Sequence, residues 1–176
     1  MKITSLLPTI VTVPGGRGPV TVVLVEIATD AGLVGLGEAP TPIGAEPARE
    51  LIASTAPLLL GQDPLQPERL KKILYLNYNL THLHIHAACW ALNAIDMALW
   101  DLVGKAAGLP LHTLWGGAFR TEIPFYGYIP YTLSAEEAGI EAGRLAAEGY
   151  GTIYRKIGLN EADDLACLAA MRAAAG

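Results

Sequence analysis

Gly149-Tyr150-Gly151-Thr152-Ile153-Tyr154-Arg155-Lys156-Ile157-Gly158 reads as a short buried strand. Ile153, Tyr154 and Ile157 are strand formers, and glycines bound the run at each end. Side chains alternate along a strand, so Thr152, Tyr154 and Lys156 share one face while Ile153, Arg155 and Ile157 share the other. Tyr154 and Lys156 therefore project side by side, about 6–7 Å apart, just before the strand ends. Two readings of that pair stand on the residues alone. A lysine beside a phenol at the C-terminal end of a strand suits a catalytic base, and it equally suits a strand-end lysine reaching water.

Working outward, the pattern around this strand is strand, helix, strand, helix. Ile123–Ile129 is a strand, and Ser134 caps a helix over Ala135–Glu148. Thr152–Ile157 is the second strand, and Glu161–Ala174 the second helix. Such alternation predicts parallel strands joined by right-handed crossovers. Two units are too few for a sheet that must be covered on both faces, so this second domain is expected to be unfinished.

The preceding residues follow a different plan. Residues 2–10, 20–30 and Leu33–Glu38 predict three strands, the last two joined by a turn at Asp30-Ala31-Gly32. Between the first two lies Pro14-Gly-Gly-Arg-Gly-Pro19, a loop by composition. Its one charge, Arg17, is either a solvated loop residue or a carboxylate-binding arginine on a lid. Gly32, Gly35 and Gly37 superficially suggest a dinucleotide loop. They sit inside a hairpin and are followed by Pro40 and Pro42, however, and a phosphate loop must open onto a helix N-terminus.

Helical spacing then takes over, with one helix predicted over Ala45–Leu60, a second from about Glu68 to Tyr78, and a long third from about Ile85 to Ala107. His82, His84 and His86 alternate, which would suit zinc on a strand, but they fall at a helix start where residues two apart do not face each other. Asp96, among Ile95, Met97 and Trp100, requires a partner and is read as structural. Asp101 and Lys105 are spaced for an i,i+4 pair.

The 176-residue chain is 52% hydrophobic and 16% charged, with a net charge of −5. That balance suits a large core and gives no basic surface for nucleic acid. No apolar run approaches the roughly 20 residues a membrane helix needs. Proline interrupts the brief apolar patch near the N-terminus, so no secretory signal is expected. Cys89 and Cys167 lie in helical patterns, as small buried side chains of a reducing, cytoplasmic setting.

The stretch Ala94-Ile-Asp-Met-Ala-Leu-Trp-Asp-Leu-Val-Gly-Lys-Ala-Ala-Gly-Leu-Pro110, with Leu114-Trp-Gly-Gly117 after it, resembles the enolase superfamily in its mandelate racemase/muconate lactonizing enzyme branch. Gly35-Leu-Gly-Glu-Ala39 is also typical of that branch. The resemblance implies an α+β capping domain over residues 1–118, a three-stranded antiparallel meander followed by a helical bundle. It implies the first two units of a TIM-like (β/α) barrel over 119–176. By the same resemblance, the activity expected of a full-length member is magnesium-dependent removal of the proton α to a carboxylate. Lys156 matches the second lysine of the family's Lys-x-Lys motif and is implied as the base, while Tyr154 replaces the first. A tyrosine there is similar to some acid-sugar dehydratases, which favours a hydroxy acid substrate.

Arg17 falls in the loop that shapes specificity, and Tyr128 is implied to line the site. The three carboxylate metal ligands are implied on later strands than this chain contains, so the chain alone is expected to bind no magnesium and to be inactive. A small carboxylic acid substrate and a homo-oligomer are the partners implied for the full-length enzyme. A muconate-type cycloisomerase or epimerase, a Schiff-base aldolase and a free-standing capping module are the alternatives.

Overall fold

The computed structural model describes residues 1–15, 18–41, 44–77 and 86–176, with the side chains of His86 and Ala87 excepted. It divides into two compact units, Met1–Ala118 and Phe119–Gly176.

In the first unit β1 (Ile3–Val13), β2 (Val20–Thr29) and β3 (Val34–Pro40) form an antiparallel sheet in the order β1-β2-β3. β1 runs three residues further than expected, because the β-branched Val11, Thr12 and Val13 continue the ladder opposite Val22, Thr21 and Val20. Val23, Val25 and Ile27 of β2 are fully buried on the face that meets the helices. The helices are α1 (Ala45–Ser54), α2 (Ala56–Leu59), α3 (Pro67–Asn77), α4 (His86–Ala107) and the short α5 (Leu111–Leu114). One continuous helix over Ala45–Leu60 is not what forms. The Thr55 hydroxyl donates to Ile52 O at 2.7 Å, its N–H also goes to Ile52 O, and Pro57 has no N–H to continue the ladder.

β3 lies directly on α4. A Cβ added to Gly35 would sit 2.1 Å from Ala98 O, and one on Gly37 would sit 1.9 Å from Ala94 O, so only glycine permits this approach. The outer edge of β3 is closed by α4 as well. Leu36 N–H donates to Asp101 Oδ2 at 2.8 Å, and Lys105 Nζ donates to Val34 O and to Asp101 Oδ2, each at 2.7 Å. The i,i+4 pair is thus also the cover of an edge strand.

The second unit contains β4 (Gly127–Ile129), α6 (Ala135–Ala147), β5 (Ile153–Arg155) and α7 (Glu161–Ala175). β4 and β5 pair in parallel, with Tyr128 opposite Tyr154. Both are shorter than Ile123–Ile129 and Thr152–Ile157, since ladder bonds form only where the two segments overlap and Ile123 and Phe125 stay exposed. Ser134 and Glu137 make a reciprocal capping box at the start of α6. Ile129, Ala138, Ala142, Leu145, Cys167 and Met171 form the core between sheet and helices.

Candidate active site

Alternation along β5 decides which side chains meet solvent. Arg155 turns inward and is 9% exposed, while Tyr154 and Lys156 on either side of it are exposed. Tyr128 stands opposite Tyr154 in the parallel register, and their ring centroids are 5.6 Å apart. Tyr126, two residues earlier and therefore on the same face, packs edge-on against Tyr154 at 5.2 Å. Gly127 between these tyrosines has no side chain to turn the other way. A Cβ there would meet Leu145 Cδ1 of α6 at 2.8 Å, so the glycine lets β4 seat on its helix.

Lys156 follows β5 immediately. Its ammonium makes no hydrogen bond or ion pair among the described residues. The loop after it is held in place, because Gly158 N–H donates to Asp164 Oδ2 at 2.7 Å and Asp163 N–H donates to the capping Asn160 Oδ1 at 3.2 Å. Three phenols are thus grouped on one sheet face, and an exposed lysine follows the strand beside a pinned loop. In its neutral form the lysine amine can accept a proton, and the phenols can donate hydrogen bonds to hydroxyl or carboxylate oxygens.

Of the residues singled out in the sequence, Tyr128 and Tyr154 come together on this face, and Lys156 is exposed directly after β5. Arg17 lies outside the described residues, as do His82, His84 and the side chain of His86. Asp96 is held by Lys71 at 3.3 Å in the first unit, and its Oδ1 is buried without a hydrogen-bond partner among the described residues. Among the described residues no group of three or more His, Cys, Asp or Glu is placed to hold a metal ion. Sequence reasoning misses Tyr126, although its i,i+2 spacing from Tyr128 signals a shared face.

The class of protein is defined by a three-stranded antiparallel meander covered by helices, followed in the chain by parallel strand–helix units with a lysine at a strand end. Residues 3–116 match the N-terminal domain of the mandelate racemase / muconate lactonizing enzyme family, and the chain belongs to that family. It is 38% identical over 138 residues to a D-galactonate dehydratase family member of Paenibacillus sp. (strain JDR-2), covering 77% of this chain and 33% of that protein. It is 35% identical over 158 residues to the D-galactarolactone cycloisomerase of Agrobacterium fabrum, covering 88% and 41% respectively. The solved 3,6-anhydro-D-galactonate cycloisomerase from Zobellia galactanivorans superposes with a TM-score of 0.88 at 30% identity, over 100% of this chain and 48% of that one. The chain therefore spans less than half the length of these three proteins.

Proposed function

We propose that this chain carries the base of an enzyme that removes the proton α to the carboxylate of a hydroxy acid, as an acid-sugar dehydratase or racemase of mandelate racemase type. Lys156 Nζ takes the α-proton. Tyr154, with Tyr128 beside it, donates to an oxygen of the substrate, and Arg17 belongs to the loop that selects the acid. The observation that carries this reading is the position of Lys156 at the end of β5. Its amine has no partner among the described residues, and Tyr154 two residues before it shares its exposure. The family resemblance assigns magnesium to the whole enzyme, with ligands from segments other than the described residues.

The test uses the full chain that the coding sequence specifies, with D-galactonate, D-mannonate and related acid sugars as probes. Exchange of the α-hydrogen in D2O is followed by NMR, and 2-keto acid formation by semicarbazone absorbance. Lys156→Ala is expected to slow both by about 10²–10⁴-fold, the usual contribution of a positioned general base. Exchange at the wild-type rate in that variant refutes the assignment. Similarity to a cycloisomerase supports a second reading, in which α-hydrogen exchange proceeds on a lactone without any keto acid appearing.

A further inference from the structure

Arg155 lies between Tyr154 and Lys156 in the sequence but points the other way, into the protein. Its guanidinium is held entirely by backbone carbonyls of one loop. Nη1 donates to Pro130 O at 2.8 Å and to Leu133 O at 3.3 Å, and Nη2 donates to Tyr131 O at 2.9 Å. It makes no ion pair among the described residues, and its buried Nε has no hydrogen-bond partner there. A buried cation without a carboxylate is costly, and an aliphatic side chain would fill an inward position on a strand without that cost. Burial alone therefore does not account for the residue.

Its acceptors do account for it. All three belong to residues 130–133, the segment that leaves β4 directly after Tyr128 and Ile129 and leads into the Ser134 cap of α6. Leu133 N–H also turns back to Pro130 O, which curls the loop around the guanidinium. The ladder between β4 and β5 is only three residue pairs long, ending at Ile129 and Arg155. Beyond that pair, the Arg155 fork continues to tie the two strand ends together. A planar fork is suited to this, since it fixes several acceptors in one geometry, which a lysine ammonium cannot.

We propose that Arg155 is a positioning residue: by gripping the 130–133 loop from the inner face of β5, it sets Tyr128 against Tyr154 and Lys156 on the outer face. This rests on the assignment of Lys156 as the base. Loss of the fork lets the two strand ends slide by fractions of an ångström to about 1 Å. Misplacement of that size is enough to cost up to about 10²-fold in turnover without abolishing binding.

The test compares Arg155→Lys, Arg155→Gln and Lys156→Met in the full chain that the coding sequence specifies. Steady-state kinetics are measured alongside amide hydrogen exchange of residues 131–135. Arg155→Lys keeps the charge but not the fork. It is expected to lose about 10- to 100-fold in kcat with KM within about threefold, and to exchange faster at 131–135. Arg155→Gln keeps donors without charge and is expected to behave the same way. Should it fail to accumulate as folded protein, Arg155→Lys alone decides. Wild-type kcat in Arg155→Lys, with thermal stability as the only change, overturns the positioning role. A Lys156→Met variant that turns over normally overturns the base assignment instead, and this inference falls with it.

Discussion

Replacing Gly37 by alanine tests the closest contact in the first unit. The new Cβ would lie 1.9 Å from Ala94 O, 2.9 Å from the same carbonyl carbon and 3.1 Å from Ala98 N. All three are helix backbone atoms, so no side chain can swing aside. Relief requires β3 and α4 to part by roughly 1 Å, a gap that forfeits a quarter to a half of the dispersion energy of the contacts it opens. Overpacking of this kind costs about 1–3 kcal/mol. Parting also stretches the Asp101–Leu36 and Lys105–Val34 bonds, whose donors and acceptors are half-exposed and screened, adding about 1 kcal/mol. The opposing entropy gain from removing a glycine is only about 0.4–1 kcal/mol. The net loss is therefore about 2–3 kcal/mol, against a total of roughly 5–15 kcal/mol for a domain.

The chain's three tryptophans, Trp90, Trp100 and Trp115, all fall in the first unit, so their fluorescence in urea reports its unfolding alone. With a slope of about 1–3 kcal/mol per molar, the Gly37→Ala midpoint should fall by about 1 M or more. Gly151→Ala serves as the control. That position has no atom within 4 Å and no positive φ, and its substitution should leave the tryptophan midpoint unchanged. A Gly37→Ala midpoint within error of wild type would show that β3 and α4 do not make the close contact described here.

Asp101→Ala removes the acceptor of both Leu36 N–H and Lys105, and should lower the stability of the first unit by about 1–2 kcal/mol by the same fluorescence titration. Asp101→Asn, which retains an acceptor, should cost less. Tyr154→Phe keeps the ring against Tyr126 and Tyr128 but removes the hydroxyl. It should cut kcat/KM on a hydroxy acid by about 10-fold, the worth of one hydrogen bond in the site. Glu137 accepts from the Ser134 backbone N–H and hydroxyl, which holds its carboxyl below the ordinary value of 4.5. A carboxyl lowered in the folded state contributes stability that is present above pH 4.5 and lost as pH falls through its folded value. Circular dichroism melts of wild type and Glu137→Gln should therefore differ at pH 6 and converge in acid.

Much of the architecture was legible because the hydrophobic period changes along the chain. The β-branched run of Val20–Thr29 admits only a strand, and the α4 stripe of Ile95, Leu99 and Leu102 admits only a helix. The break at Thr55 was also written in the sequence, in Pro57, but apolar spacing on both sides masked it. What could not be read locally is what depends on contacts between distant residues. Gly35 and Gly37 look like hairpin glycines until α4, about 60 residues later, is seen to lie on them. Asp101 and Lys105 look like an ordinary helix pair until the edge of β3 comes beside them. Of the site, the alternation of Tyr154 and Lys156 was readable, and Tyr126 could have been.

Which face of β5 is buried is harder to read, and it bears on how the site works. Charge along Thr152–Ile157 does not distinguish the two faces, although the isoleucines favour burial of one. One carries Thr, Tyr and Lys, the other Ile, Arg and Ile, so each has one cation. Shifting the strand by one residue would exchange the two sets completely, sending Lys156 into the core and Arg155 to solvent. The loop carbonyls of Pro130, Tyr131 and Leu133 oppose that slip, because they present a cluster of acceptors that a rigid fork satisfies and a single ammonium does not. The two cations are therefore not interchangeable along this strand. Arg155 is the cation that the inner face can accommodate, and its burial leaves Tyr154 and Lys156, on either side of it, exposed.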